Sequence, residues 1–237
     1  KNGILEKRIS SDIFSPSFSC FTDKGELVFT AENPNIYVYD VESSSLRIVK
    51  SRDDSAEDSF NQIAYIGGRS ILVSSNPKSV ERFDIDSGVG EELVGDRLIE
   101  NMAEVQCLIV RDNYYWIGTS YGLIIYDNIT RNIERQFPDR IENNDLGGES
   151  VRSLFEDNDG NVWAGTFNGG LRCWMAYQDS FGRYITDDNE GSIIGETVRS
   201  IAPDDYGYVW IGTEEGHLNR FSPQKKTFED FTSASGV

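Results

Sequence analysis

The chain of 237 residues has little of several residue types on which common functions depend. It contains one histidine and no closely spaced pair of cysteines, which gives poor support to a zinc site built from His and Cys. Its three cysteines are widely spaced and do not form the dense framework of a disulfide-stapled secreted domain. No uncharged apolar run reaches the ~18 residues that a membrane-spanning helix needs. These shortages argue against zinc enzymes, small disulfide scaffolds and membrane spans within this sequence.

Positive charge is also scarce. The chain has 22 Lys and Arg residues against 40 Asp and Glu residues, which gives a formal net charge of −18. Such a charge repels phosphate backbones and anionic lipid surfaces. We therefore expect no nucleic-acid partner and no membrane contact by this segment. No motif indicates a cofactor, and none is expected.

What the sequence does contain is an internal repeat. Trp116, Trp163 and Trp210 are spaced by 47 residues, and each stands in a Trp-x-Gly-Thr segment. A β-like run precedes each tryptophan, followed in the two later repeats by an Asp- and Gly-containing turn, Asp157–Gly160 or Asp204–Gly207. This order predicts a strand, a tight turn and a second strand.

A third strand follows each Gly-Thr segment and extends the repeat toward the N-terminus. Its aromatic residue recurs at spacings of 44, 43, 48 and 47 residues, at Tyr39, Phe83, Tyr126, Trp174 and Phe221. A short fourth strand closes each unit. Four short antiparallel strands in about 45 residues are typical of a propeller blade. We therefore predict an all-β fold, a β-propeller of four-stranded antiparallel blades, with five repeats at residues 18–51, 60–96, 105–137, 151–185 and 198–231.

The recurring Trp and Gly residues are interpreted as packing positions. An indole buries a large area against a neighbouring blade, and glycine lets two backbones approach closely. A binding site normally breaks the symmetry of a repeat, whereas these residues recur in each clear unit. A structural role is therefore assigned to Trp116, Trp163, Trp210, Gly118, Gly165 and Gly212.

The pattern V-R-S-L-F-E-D-N-D-G-N-V-W-A-G-T-F-N-G-G-L, from Val151 to Leu171, resembles the two-component regulator propeller repeat. Val198 to Leu218 and Val105 to Leu123 resemble it nearly as well. The resemblance implies the periplasmic sensor region of a hybrid two-component system, with two propellers of about seven blades each. It further implies a β-sandwich, a membrane span, a histidine kinase and a response regulator in the same protein. Members of this family sense oligosaccharides.

The number of repeats departs from that family pattern. Five repeats are visible, and residues 1–17 contribute only one strand-like segment, Ile4–Ile9, which reads as a lone outer strand. We expect residues 1–237 to form a single propeller domain or, more simply, a piece of a larger propeller. A closed five-bladed propeller with Ile4–Ile9 as an additional edge strand is the alternative. Because an open propeller exposes blade faces, we expect self-association as a homodimer.

Three patterns that carry chemistry elsewhere are interpreted as structural. Ser120 stands in a formal Gly-x-Ser-x-Gly, but between two strands and two repeats away from His217, so no catalytic role is assigned. Asp157–Asn161 begins like a calcium loop but lacks the later ligands, and suits a hairpin turn. Cys20 and Cys107 fall at the third position of predicted first strands, where small packing residues fit. No catalytic or metal-binding residue is predicted.

Candidate ligand contacts lie on the loops at one end of the predicted blades. The turns between second and third strands, and the links between blades, share that end, and function usually concentrates on such loops. Aromatic planes beside amides and carboxylates suit sugar rings and hydroxyls. Arg152 and Arg199 follow the first residue of successive inner strands and either bind an acidic sugar or pair with local carboxylates. The candidate set is Tyr121, Phe167, Asn168, Glu214, Glu215, Arg152 and Arg199, with His217 nearby.

Together these observations predict a non-enzymatic sensor segment. The resemblance implies that it recognises an oligosaccharide, contacts other domains of the same protein and passes a signal to a histidine kinase. A propeller scaffold for protein–protein interaction is the first alternative. A polysaccharide lyase or hydrolase is the second, because paired acids could be placed by the fold rather than by sequence spacing.

Overall fold

The computed structural model describes residues 16–31, 35–51, 60–75, 79–94, 104–137, 150–175, 180–187, 189 and 191–232. Twenty β-strands lie in this part of the chain, and no helix does. Consequently, the described residues include no helix able to cross a membrane. The predicted strand Ile4–Ile9 lies outside the described residues.

The strands form five antiparallel sheets of four, each built from consecutive strands. The first sheet contains β1 (Pro16–Phe21), β2 (Leu27–Ala31), β3 (Asn35–Asp40) and β4 (Ser45–Ser51). The second contains β5 (Phe60–Gly67), β6 (Ser70–Ser75), β7 (Ser79–Asp84) and β8 (Gly90–Val94). The third contains β9 (Val105–Arg111), β10 (Tyr114–Thr119), β11 (Gly122–Asp127) and β12 (Asn132–Phe137). The fourth contains β13 (Val151–Glu156), β14 (Val162–Thr166), β15 (Leu171–Met175) and β16 (Ser180–Tyr184). The fifth contains β17 (Val198–Pro203), β18 (Val209–Thr213), β19 (Leu218–Ser222) and β20 (Thr227–Asp230).

Five four-stranded meanders confirm the predicted fold class. The chain divides into two compact units, one formed by Lys1–Pro77 with Glu81–Glu91 and one by Lys78–Val80 with Glu92–Val237. The first unit holds the first two sheets, apart from short pieces of β7 and β8, and the second holds the last three. The prediction of one domain over residues 1–237 stays a prediction.

Hairpin geometry follows from the turn residues that the sequence provides. The Asp157 side chain accepts bonds from the amides of Asp159 and Asn161, at 3.0 and 2.9 Å. Gly160 then closes the turn with φ of 79°, a conformation in which a side chain is strained. The same arrangement recurs at Asp204 and Gly207. These turns reverse the chain so that β14 and β18 pair with their preceding strands.

The core lies between sheets that follow each other in the chain. In the second unit, Trp116, Leu123 and Ile125 of the third sheet pack with residues of the fourth, including Val151 and Trp174. A second cluster joins the next face of the fourth sheet to the fifth, and its members include Trp163, Leu171, Cys173, Val198, Ile211 and Phe221. The first unit has an equivalent cluster between its two sheets, which includes Val28, Ile36, Val38, Phe60, Ile71 and Phe83. Face-to-face packing of consecutive sheets is how propeller blades bury apolar surface.

The glycine of each Trp-x-Gly-Thr segment stands where the following sheet comes closest. A Cβ on Gly118 would lie 2.9 Å from Cγ1 of Val151, and one on Gly165 would lie 2.4 Å from Cγ1 of Val198. Real Cβ atoms essentially never approach other atoms below 3.0 Å. These two glycines therefore leave the space that the next inner strand fills.

The expected position of Cys20 is wrong by two residues. Strand β1 begins at Pro16, before the predicted start at residue 18, and Cys20 pairs with Val28 near the hairpin rather than at the third position. By contrast, Cys107 lies opposite Gly118, as Ser153 lies opposite Gly165. From its first residue onward β1 pairs with β2 as β13 pairs with β14, with one extra residue near the start, so the error lies in the predicted start of the strand.

Candidate functional site

In each sheet of the second unit, the turn between the second and third strands lies against the residue that directly precedes the first strand of the same sheet. The amides of Ser120, Phe167 and Glu214 donate to the carbonyl oxygens of Glu104, Ser150 and Thr197, at 2.8, 2.9 and 2.9 Å. The amide of Gly170 also donates to Glu196, in the link to the fifth sheet, at 3.1 Å. Backbone bonds thus hold turns and links together at one end of three successive sheets. We call this end the turn face.

Each first strand of the second unit carries an extra, unpaired residue at this end. The register skips Gln106 between Val105 and Cys107, and it skips Arg152 and Arg199 at the equivalent positions of β13 and β17. Such β-bulges redirect a side chain and are common next to functional sites. Gln106, Arg152 and Arg199 therefore occupy equivalent places on the turn face.

Arg152 links the third sheet to the fourth. Its Nη1 donates to Oε1 of Gln106 at 2.9 Å, and its guanidinium carbon lies 5.4 Å from the centre of the Phe167 ring. Gln106 in turn donates to Glu104 at 3.4 Å. Within the described part of the chain, Nε of Arg152 is buried without a hydrogen-bond partner and no carboxylate pairs with this side chain. The contact row is therefore Glu104, Gln106, Arg152 and Phe167.

Arg199 has a different environment. Its Nη2 lies 2.7 Å from Oε1 of Glu214, and each of the two side chains is 46% exposed. This ion pair neutralises the Arg199 charge locally. Of the two roles considered for these arginines, the structure places Arg199 in a carboxylate pair and places Arg152 against an amide and an aromatic ring.

The remaining candidates divide into exposed and anchored side chains. Tyr121 is exposed, and only its backbone amide is held, by Thr119 Oγ1 at 3.1 Å. Asn168 has a positive φ of 61° and accepts a bond from Thr197 at 3.1 Å. Glu215 accepts bonds from the amides of Glu196 and Thr197, at 3.3 and 3.2 Å. Burial alone would raise the pKa of the Glu215 carboxyl. The hydrogen bonds from its own backbone amide and from the amides of Thr197 and Glu196 outweigh burial, so the pKa is lowered.

His217 lies away from the row. Its Nδ1 is 3.6 Å from Oδ2 of Asp230, inside the fifth sheet. The Ser120 hydroxyl accepts a bond from the Glu104 amide at 2.9 Å, so it ties a turn to a link. Neither geometry assembles a nucleophile with a base.

The described residues contain no group of three or more His, Cys, Asp or Glu side chains placed to hold a metal ion. The carboxylate of Asp157 is engaged by its own hairpin and by the Trp163 indole, whose Nε1 donates to it at 2.8 Å. Burial raises the pKa of the Cys107 thiol and raises those of Cys20 and Cys173 to about 12. These thiols remain protonated at neutral pH and are poor nucleophiles.

The sequence interpretation missed Gln106 and Thr197. Gln106 stands at the bulge position of the third sheet, one repeat before Arg152, so alignment of the repeats could have found it. Thr197 holds Asn168 through its hydroxyl, and this contact joins residues 29 positions apart. Nothing in either local sequence indicates that contact.

Comparison with known proteins links these repeats to one family. Residues 145–168 and 192–215 match the model of the two-component regulator propeller. The comparison with curated proteins finds no significant match. Both matched segments include turn-face residues.

Solved structures share the fold. One is described as the extracellular domain of hybrid two-component system BT4673 from B. thetaiotaomicron, with 21% identity, a TM-score of 0.68 and coverage of 87% of this chain and 27% of that one. The corresponding domain of BT3049 from B. thetaiotaomicron has 17% identity and a TM-score of 0.67, and the match covers 90% of this chain and 29% of that one. A chain of a mitotic checkpoint complex has 14% identity and a TM-score of 0.68, and the match covers 96% of this chain and 72% of that one.

At this identity the structural similarity carries the fold alone. The checkpoint chain reaches the same TM-score of 0.68 as the BT4673 domain. This chain also spans less than a third of the length of the two B. thetaiotaomicron structures. The similarity to the two-component regulator propeller therefore rests on the two matched repeats.

Proposed function

Because the chain carries two-component regulator propeller repeats, we propose that it is part of the extracytoplasmic sensor of a hybrid two-component system. In this proposal the segment lies in the periplasm, binds an oligosaccharide without converting it and influences a histidine kinase in the same protein. The proposal takes its location and role from the family of the matched repeats, and two structures with the same fold carry the description of extracellular domains of hybrid two-component systems from B. thetaiotaomicron.

The observation that carries ligand binding is the contact row at Arg152. A partly exposed aromatic ring, Phe167, lies beside a guanidinium without a carboxylate partner in the described residues and beside the amide of Gln106. Sugars offer C–H faces that pack on aromatic rings and hydroxyls that accept from guanidinium and amide N–H groups. The row therefore provides both kinds of contact at one place.

A non-catalytic role is supported by how the reactive candidates are used. Ser120 and Asp157 are engaged in local backbone contacts, and His217 faces Asp230. Most glycoside hydrolases use a pair of Asp or Glu side chains that flank the scissile bond, whereas Asp157 is held by its own hairpin. We therefore propose recognition without turnover.

The test compares two arginine variants in oligosaccharide binding. The chain, and the longer protein that contains it, are titrated by calorimetry with neutral and acidic oligosaccharides. We expect Arg152→Gln to weaken binding by about tenfold or more, because a charge-assisted hydrogen bond contributes about 1.5–3 kcal/mol. Arg199→Gln is the matched control, because the Arg199 guanidinium is already paired with the Glu214 carboxylate. This variant should change the affinity for the oligosaccharide much less.

Three results would redirect the proposal. Binding to neither protein would favour the protein-interaction scaffold. Product that accumulates with time in a chromatographic assay would favour a lyase or hydrolase. Equal loss in both variants, with unchanged thermal midpoints, would show that Arg152 has no special part in recognition. Self-association and contacts with other domains remain predictions, to be measured by sedimentation.

A further inference from the structure

Two junctions on the turn face can be compared position by position. At the first junction, the turn of the third sheet meets the link residue Ser150, which forms an isolated parallel bridge with Gly122. At the second junction, the turn of the fourth sheet meets the link residue Thr197, which bonds to Asn168. Ser150 and Thr197 each directly precede an inner strand, so they occupy equivalent places. Differences between the two junctions therefore show where the repeat symmetry is broken.

The first difference is the use of the link hydroxyl. Oγ1 of Thr197 donates to Oδ1 of Asn168 at 3.1 Å. Tyr121 stands at the position of Asn168, two residues after the threonine of its Trp-x-Gly-Thr segment. Within the described ranges, Oγ of Ser150 is buried without a hydrogen-bond partner, from Tyr121 or from any other residue. A buried polar atom of this kind is uncommon, and a water or ligand that completes it is one explanation.

The second difference is the partner of the bulge arginine. Arg199 pairs at 2.7 Å with Glu214, the first residue after the threonine of its segment. Phe167 holds that position in the fourth sheet, so a ring lies beside Arg152 where a carboxylate lies beside Arg199. Gln106 is the one hydrogen-bond acceptor of Arg152 among the residues that the structure describes. In a chain with 40 Asp and Glu residues, this guanidinium thus has no carboxylate partner in the described part.

Backbone contacts bring the unpaired groups to one place. The carbonyl oxygen of Ser150 accepts from the amide of Phe167 at 2.9 Å, and Tyr121 is the chain neighbour of the bridged Gly122. Arg152 follows two residues after Ser150, with its guanidinium carbon 5.4 Å from the centre of the Phe167 ring. Tyr121 and Phe167 are 44% and 39% exposed, so both side chains are accessible to a ligand. We call Tyr121, Ser150, Arg152 and Phe167 the open junction.

The guanidinium of the open junction also has an accessible edge. Nε of Arg152 is buried, whereas its Nη2 is neither buried nor bonded to another described residue. Arginine N–H groups form their strongest hydrogen bonds with oxyanions such as carboxylates. A neutral hydroxyl can accept from Nη2 but leaves the positive charge unpaired. The environment of Arg152 therefore favours a ligand that carries negative charge.

We infer that the open junction binds the carboxylate of an acidic sugar, so that the oligosaccharide of the proposed function contains a uronate. This inference rests on the proposed function and deepens it by naming the class of ligand. The guanidinium pairs with the carboxylate, and the exposed aromatic side chains pack against the C–H face of the sugar ring. The second junction lacks this capacity, because Glu214 and Asn168 already fill its equivalent contacts. A sulfate ester offers similar oxyanion chemistry, so the experiment includes it as a separate arm.

The first experiment compares acidic oligosaccharides with neutral forms of the same chains. Oligomers of galacturonate, of mannuronate with guluronate, and of glucuronate with an amino sugar are titrated by calorimetry. The titrations use both the chain and the longer protein that contains it. Each oligomer is paired with its carboxyl-reduced form, and sulfated galactose oligomers supply the other oxyanion. We expect a uronate oligomer to bind about tenfold or more tightly than its reduced form, because the reduced form loses a charge-assisted hydrogen bond.

The second experiment gives the open junction the carboxylate of the second junction. Phe167→Glu places an acid where Glu214 stands in the next sheet, within reach of the bulge arginine. We expect this variant to lose the preference for the acidic oligomer over its reduced form. Phe167→Gln is the matched control, because it removes the same ring without adding charge. Its affinity should fall, but its preference for the acidic oligomer should remain, and thermal midpoints verify that both variants fold.

The outcomes separate this inference from the proposal on which it rests. Equal affinity for an acidic oligomer and its reduced form would overturn the acidic class, while oligosaccharide binding would stand. Binding of sulfated but not of uronate oligomers would also overturn it and would assign the site to sulfate esters. A preference that survives Phe167→Glu, or that Phe167→Gln abolishes equally, would contradict the role of the Arg152 charge. No binding of any oligomer to either protein would contradict the proposed function itself and this inference with it.

Discussion

The tryptophans that define the repeat differ in one hydrogen bond. Nε1 of Trp163 donates to Asp157 at 2.8 Å, and Nε1 of Trp210 donates to Asp204 at 2.9 Å. In the third sheet the position six residues before Trp116 holds a valine, and Nε1 of Trp116 is buried without a partner among the described residues. The aspartate therefore serves two purposes, since it shapes the hairpin and satisfies a buried donor.

Removal of this aspartate should destabilise the fold. We expect Asp157→Ala to lower the free energy of unfolding by about 1–3 kcal/mol, because a buried indole N–H is left without an acceptor and the hairpin loses its cap. Urea unfolding followed by tryptophan fluorescence measures the change. Asp159→Ala is the control, because it removes the same charge from the same turn while the backbone amide of residue 159 still donates to Asp157. Equal effects of the two variants would show that only turn charge matters.

At the scale of elements, an ion-pair group joins the first two sheets. Arg69 of the second sheet pairs with Glu26 of the first and with Asp86 at 2.7 Å. Arg47 also donates to Asp86, at 3.3 Å. Hydrogen bonding to Arg69 lowers the pKa of both Glu26 and Asp86. The side chains of Glu26 and Arg69 are mostly buried, whereas Asp86 is largely exposed and its pairing is weakened by solvent.

These pKa directions predict a dependence on acid. A carboxylate with a lowered pKa in the folded state contributes stability above its unfolded pKa and loses it as pH falls through the folded pKa. We expect Arg69→Met to lower stability by about 1–2 kcal/mol at neutral pH, with the difference shrinking below the ordinary carboxylate range. Thermal midpoints of both proteins from neutral to acidic pH measure this.

Lys24→Met is the control for that experiment, because Lys24 is an exposed cation near the same group. Lys24→Met should lower the stability much less than Arg69→Met does, and its effect should depend little on pH. A deficit of Arg69→Met that stays constant down to acidic pH would mean that lost packing of the arginine side chain, rather than charge pairing, causes the destabilisation.

The strands and hairpins could be predicted from the sequence, whereas the side-chain contacts between sheets could not. Hairpins and third strands follow from local signals such as Asp157–Gly160 and the aromatic of each third strand, so the five sheets could be predicted from the sequence. The pair of Glu26 and Arg69 joins residues 43 positions apart, and the Arg152–Gln106 contact joins residues 46 apart. Such contacts depend on how two sheets pack and on where a β-bulge turns a side chain. The sequence offered the residue types of the turn face without their pairing.

For the whole molecule, the dominant physical property is its charge of −18. Arginines in the described part of the chain are largely used in local pairs, as at Arg111 with Glu156 and Arg220 with Glu229. The excess carboxylates therefore face water and one another. Like charges at distances beyond direct contact destabilise the folded state, and salt screens them.

This balance predicts that salt stabilises the protein. The Debye length falls from about 30 Å at 0.01 M to about 8 Å at 0.15 M, so screening removes repulsion between distant carboxylates before it affects pairs in contact. We expect the thermal midpoint at neutral pH to rise over this range in sodium chloride. Sodium sulfate at matched ionic strength separates screening from exclusion of salt from the surface, since only the latter should differ between the two salts. A midpoint that falls with added chloride would mean that the ion pairs, including the group at Arg69, outweigh the net repulsion, and Arg69→Met should then remove that fall.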